Sequence, residues 1–177
     1  MKIIAIDPGT YYTAYVELET SDLSLLDFNR IPNPVFLQKM RESAAQGHKH
    51  RVIEQVKSYG NVIGDDLLHT VLWSGRFIEA SEIPFSLIPR KTVCMEVCRS
   101  VTASDKNVRA ALIDLYAERL KAKGRTGESA KALAIGSKYK RGPLYGMRGD
   151  EWAALGVAIA HVQRTQATHP DLRRALM

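Results

Sequence analysis

Three carboxylates are notable for where they fall in the chain. Asp7 closes a short apolar run, KIIAID (Lys2 to Asp7), and is followed at once by Pro8-Gly9. Glu54 lies inside RVIEQV (Arg51 to Val56), among β-branched residues where an unpaired buried charge is costly. Asp150 opens an apolar stretch after a run of basic and glycine residues, and the start of a helix both stabilises and aims a carboxylate. Brought together, three carboxylates raise one another's pKa unless hard cations bind, and an oxygen-only ligand set suits Mg²⁺, with Mn²⁺ able to substitute. A pair of such ions ~4 Å apart would activate water and steady the leaving oxygen of a phosphodiester. Each residue also has an ordinary reading. Asp7 suits a turn, Glu54 suits the solvent face of an edge strand, and Asp150 suits the first turn of any helix.

Convergence requires adjacent elements. The β-branched run Lys2 to Asp7 reads as a buried strand stopped by Pro8-Gly9. Thr10 to Glu19 and Leu23 to Ile31 follow as strands around the turn at Thr20 to Asp22. Pro32 and Pro34 break the pattern, Val35 to Ser43 reads as a short helix, Ala44 to His50 as a polar loop, and Arg51 to Val56 as a fourth strand. After the turn at Ser58 to Asn61, residues Val62 to Ala80 place Ile63, Leu67, Leu68, Val71, Leu72, Gly75 and Ile78 at helical spacing. Phe85 to Ile88 is a fifth strand, followed by helices near Lys91 to Cys98 and from Asp105 to Lys121, the latter with Ser104 as N-cap. The last helix runs from Asp150 to about Thr165, and the tail from Thr168 is expected to fray. The order predicts a single α/β domain. His48 and His50 read as a solvated basic turn, Trp73 and Trp152 as core, and Cys94 and Cys98 as reduced core thiols with no second pair to make a zinc site.

Charge points to the partner. The 177 residues carry 25 Lys and Arg against 19 Asp and Glu, a net +6 and a pI near 9.4, which favours a polyanion such as nucleic acid. The bases concentrate between Lys121 and Arg148, where Lys121, Lys123, Arg125, Lys131, Lys138, Lys140, Arg141 and Arg148 face one acid, Glu128, among five glycines. That composition predicts a mobile cationic loop region. The opening KIIAID is far shorter than a signal-peptide core, and no stretch approaches the ~20 apolar residues of a membrane span. A cytoplasmic protein is expected, with no membrane partner.

IAIDPGT at Ile4 to Thr10, IEQV at Ile53 to Val56, SDKNVRAALIDLY at Ser104 to Tyr116, GPLYG at Gly142 to Gly146 and DEWAALGVAIAH at Asp150 to His161 together carry a resemblance. In order and spacing the chain resembles the RuvC-type Holliday junction resolvases of the RNase H-like superfamily, and especially phage-encoded members. The resemblance covers most of the chain and implies a mixed five-stranded sheet flanked by helices. It implies a two-fold homodimer that nicks opposed strands of a four-way junction in a bacterial cell or phage-infected host. Asp7, Glu54 and Asp150 would be the metal ligands, and Lys106 would match the basic residue near the scissile phosphate. Lys57, Tyr59, Arg109, Lys138, Lys140, Arg141 and Arg148 are the further DNA contacts expected with it.

Two departures matter. The family commonly has a fourth carboxylate three residues beyond the position of Asp150, where this chain has Ala153; Glu151 is the nearest substitute but lies about 100° round the helix. The better-known bacterial enzymes also have an aromatic residue that intrudes on the junction after IEQV. Here that position is Lys57, leaving Tyr59 either to stack on a base or to rest on the surface. The sugar kinase and actin superfamily also opens with a strand ending in Asp-x-Gly-Thr, but it needs two such domains around a nucleotide, and there is no second block here. A non-catalytic binder of branched DNA that keeps the scaffold remains the alternative.

Overall fold

The computed structural model describes residues 1–58, 60 and 62–168. Tyr59 and the tail from residue 169 lie outside them. Five strands form one mixed sheet in the order β3-β2-β1-β4-β5: β1 (Lys2–Asp7), β2 (Tyr12–Glu19), β3 (Ser24–Pro32), β4 (His50–Gln55) and β5 (Phe85–Pro89). β1 to β3 are an antiparallel meander, and β4 and β5 add in parallel on the other side of β1. The helices are α1 (Asn33–Glu42), α2 (Asp65–Glu79), α3 (Arg90–Cys98), α4 (Asp105–Ala122), α5 (Ala130–Ala134) and α6 (Glu151–Thr168).

The period-2 alternation of the strands divides the apolar residues between two cores. Ile3, Ala5, Val16, Leu18, Val52 and Ile88 face α3, α4, α5 and α6, while Ile4, Ile6, Tyr15 and Ile53 face α1 and α2. The apolar stretch after Asp150 fits the position of α6, because Ala154, Leu155, Val157, Ala158 and Ile159 lie buried across β1, β2 and β4. Gly156 lets α6 approach closely, since a Cβ there would stand 3.1 Å from Val93.

Several expectations are revised. α1 starts two residues earlier than Val35, because Pro34 fits the first turn of a helix, where its missing N–H costs nothing. The segment 121–148 is packed onto the core rather than looped away from it. It contains α5, an isolated bridge pairs Gly136 with Arg141, and Leu133, Ala134, Leu144 and Met147 are buried in the larger core. Its bases are outside, and its apolar residues hold it down. His48 is likewise no solvated turn. It is 2% exposed, with Nδ1 2.9 Å from the Ser43 carbonyl and Nε2 3.2 Å from Glu17. Glu17 is a buried charge that gathers Lys2 at 2.8 Å and Lys39 at 2.5 Å. His50 is half-buried and stacks on His161 at 4.8 Å, and burial followed by the charge of His50 pushes His161 down to about 4. Both cysteines are free, Cys94 buried and Cys98 half-buried; Trp152 is core, and Trp73 packs partly buried against the smaller core. No helix among the described residues is long and apolar enough to cross a membrane.

Candidate active site

Alternation puts Asp7 and Glu54 on the same side of the sheet. Ile3 and Ala5 face α6, so Asp7, two further on, faces the same way; Val52 faces α6, so Glu54 does too. The parallel ladder ends at Ile6 beside Ile53, which leaves Asp7 and Glu54 one step beyond on neighbouring strands. The turn after Asp7 is tightly held. The buried amide of Asn33 donates to the Gly9 and Thr10 carbonyls at 2.9 and 3.1 Å, and Thr13 donates to Asn33 Oδ1 at 2.7 Å. Gly9 is required there, because a Cβ would sit 2.5 Å from the Tyr12 carbonyl oxygen.

The electrostatics follow from this crowding. Burial, then the charges of Glu54 and Asp150, raise the Asp7 carboxyl well above the usual carboxylate range. Burial also raises Glu54, opposed by Arg90 and reinforced by Asp105. Glu54 Oε2 is buried and has no hydrogen-bond partner among the described residues. Asp150, just before α6, is exposed and accepts from Arg30 Nε at 2.9 Å; the same guanidinium lies 4.6 Å from the Tyr12 ring. Glu54 and Asp150 are therefore both near enough to act on Asp7, yet no cluster of three or more His, Cys, Asp or Glu able to hold a metal is formed among the described residues.

Two open pockets flank the carboxylates. One, about 250 Å³, is lined by Asp7, Glu54, Lys57, Thr70 and Arg90 among others. The other, about 360 Å³, joins Lys106, Arg109, Asp150 and Ala153 with Arg90 and Asp105. Ser104 caps α4 as expected, in a reciprocal capping box with Asn107, so Lys106 is fixed in the first turn facing this second pocket. Arg109 also covers Trp152 at 4.7 Å. Ala153 opens onto the pocket, so that position adds no carboxylate to Asp105 and Asp150, and Glu151 is engaged elsewhere. Its Oε2 accepts the Arg148 N–H at 2.6 Å and closes the turn before α6, and the residue is 9% exposed.

The distal bases are distributed differently. Lys138 and Arg148 are exposed, Lys140 pairs with Glu128 at 3.0 Å, and Arg141 covers Tyr145 at 4.9 Å. Arg30, Arg90 and Asp105 were not candidates from the sequence. The only sequence signal for Arg90 is its position directly after a strand that ends in proline. Nothing local connects Arg30 to Asp150, 120 residues away.

The sequence matches no protein-family model and no curated protein. Solved structures match the fold. A Thermus thermophilus RuvC bound to a Holliday junction substrate superposes with a TM-score of 0.65 at 13% identity, covering 95% of this chain and 96% of that one. A second Thermus thermophilus RuvC structure gives 0.57 at 12% identity, covering 95% and 97%. The mixed five-stranded sheet flanked by helices is thus the RuvC-like, RNase H-like fold over nearly the whole chain.

Proposed function

We propose that this chain is a structure-selective endonuclease that resolves Holliday junctions and other branched DNA by paired, Mg²⁺-dependent hydrolysis, with Mn²⁺ able to substitute. The observation that carries it is the adjacency of Asp7 and Glu54 on β1 and β4, with an unpartnered buried Glu54 oxygen, beside a cationic pocket. That donor set is oxygen-only and fits a hard divalent cation, with Asp150 as a third ligand once released from Arg30. Such a cation, when bound, supplies Lewis acidity and a water of lowered pKa. Lys106 and Arg109 meet the scissile-strand phosphate in the second pocket, and Lys57, Lys138, Lys140, Arg141 and Arg148 contact the arms. The proposed place of action is the cytoplasm of a bacterial cell or phage-infected host, and kinship with phage-encoded resolvases belongs to the same proposal.

A four-way junction has two-fold symmetry, and a two-fold homodimer presents one site to each of two opposed strands. The proposed dimer face is α2, where Leu68, Val71 and Leu72 are 56%, 50% and 62% exposed.

The test is nicking of a synthetic four-way junction. Mg²⁺-dependent, symmetric nicks are expected from the parent chain. Asp7→Asn should abolish cleavage while retaining junction binding, because binding rests on phosphate contacts. Full activity in that variant would remove Asp7 from the site. Ala153 and the pairing of Asp150 with Arg30 favour one second reading, a non-catalytic binder of branched DNA; binding without nicking in either metal would select it.

A further inference from the structure

Arg90 lines both pockets, standing on the wall between the Asp7 and Glu54 side and the Lys106 and Asp150 side. Two carboxylates hold its guanidinium, unequally. Nη2 donates to Asp105, whereas Nη1 stops 4.0 Å from Glu54 Oε2, beyond hydrogen-bond reach. Nη1 and Glu54 Oε2 are both buried, and neither has a hydrogen-bond partner among the described residues. Asp105 is itself 94% exposed at the first position of α4, so it grips the outer arm of the guanidinium from the solvent side.

An arginine free to reach Glu54 would take both carboxylate oxygens in a bidentate pair, the strong arrangement for these groups. Here one arm is already committed to Asp105. The positive charge opposes the burial of Glu54 but leaves its Oε2 without a hydrogen bond.

We infer that Arg90 is a tethered counter-cation of the site: it balances Glu54 before metal binds, competes with the metal for that carboxylate, and is kept from closing on it by Asp105. The inference rests on the reading of Asp7 and Glu54 as metal ligands. Once a divalent cation has taken over Glu54, Arg90 remains on the shared wall beside Lys106, with its charge available to a substrate phosphate. Arg90 and Asp105 thus have opposite effects on metal affinity.

The experiment measures Mn²⁺ binding to the full chain by electron paramagnetic resonance of the free ion, without DNA. Arg90→Met should bind Mn²⁺ about tenfold more tightly, having lost the competing charge at 4.0 Å. Asp105→Asn should bind it more weakly, because the released guanidinium closes on Glu54. In the Arg90→Met background, Asp105→Asn should have little effect, because its influence runs through Arg90. At saturating Mn²⁺, junction cleavage by Arg90→Met should be slower than that of the parent, so that metal affinity and rate move in opposite directions. A purely structural contact would weaken both. If Arg90→Met fails to fold by circular dichroism, Arg90→Gln takes its place with the same expectation. Mn²⁺ affinity unchanged or weaker in a folded Arg90 variant overturns the inference while leaving the nuclease reading intact. Absence of Mn²⁺ binding to the parent, with or without junction DNA, overturns both.

Discussion

Burial and acidic neighbours hold the carboxyl of Asp7 well above the usual carboxylate range, and this ties the site to the stability of the whole chain. A group whose folded pKa is raised adds stability below its unfolded pKa and loses it as pH rises through the folded value. The unfolded value for Asp is about 3.9, so the metal-free protein should lose stability above that pH, with Glu54 contributing in the same direction. Asp7→Asn removes the ionisation. At pH 7.5 without divalent ions its Tm should exceed that of the parent, by ~2–4 °C for each kcal/mol of penalty removed, and the difference should vanish below about pH 4. Thermal melts across that range, with and without Mg²⁺, check this; a lower Tm for Asp7→Asn at every pH would contradict it. At this scale the sequence revealed the strand residues well, because a strand's period-2 geometry places Asp7 with Ala5 and Glu54 with Val52. The arginines beside Glu54 and Asp150 were hidden, because pairings such as Arg30 with Asp150 depend on the packing of distant elements.

Between β4 and α2, the connection is made by a buried charge. Arg51 is 1% exposed and donates to the carbonyls of Phe77 and Ile78 at 2.7 and 2.8 Å, of Ser81 at 2.6 Å and of Ile83. These carbonyls belong to the last turn of α2 and the loop beyond it, where a cation also complements the helix dipole. Arg51→Met should cost ~3 kcal/mol or more in urea denaturation, because it strands the buried Phe77 and Ile83 carbonyls and the part-buried Ile78 and Ser81 carbonyls. A loss under ~1 kcal/mol would mean that water replaces the guanidinium. The segment 121–148 holds the same lesson about what a sequence conceals. Charge and glycine content suggested mobility, yet Leu133, Leu144 and Met147 are spaced too irregularly to show a period and still reach the core. Gly142 sets that contact, since a Cβ would stand 2.3 Å from the Ala134 carbonyl oxygen. Gly142→Ala should therefore destabilise the chain by ~1–3 kcal/mol and loosen the backbone around its already exposed lysines, with faster limited proteolysis by trypsin as the readout. The elements themselves were legible, down to the Ser104 cap, because their signals are local; α5 was missed because five residues carry too little pattern.

Over the whole molecule, exposed bases recur along the segment 121–148 and exposed apolar residues recur on α2 and β5, the apolar side. On the apolar side, Leu68, Val71 and Leu72 of α2 are at least half exposed, and Phe85 and Leu87 of edge strand β5 are 43% and 40% exposed. Their alternation with Ser86 and Ile88 turns Phe85 and Leu87 towards the α2 face of the sheet, and Arg51 bridges the two elements by lying 5.8 Å over the Phe85 ring. A sheet edge beside exposed apolar residues of a helix invites association, and a second copy of the same face is the self-complementary solution that the proposed two-fold substrate would call for. Charge on that face should prevent it without touching the carboxylates. Leu68→Glu with Leu72→Glu should sediment as a monomer, retain its circular dichroism spectrum and still nick branched DNA. On a supercoiled plasmid with an extruded cruciform, the parent should give linear product if, as proposed, a dimer's two sites cut within one complex. The variant should give nicked circles, since the first cut relaxes the cruciform before a second monomer arrives. Linear product from a verified monomer would show that paired cutting does not require this face.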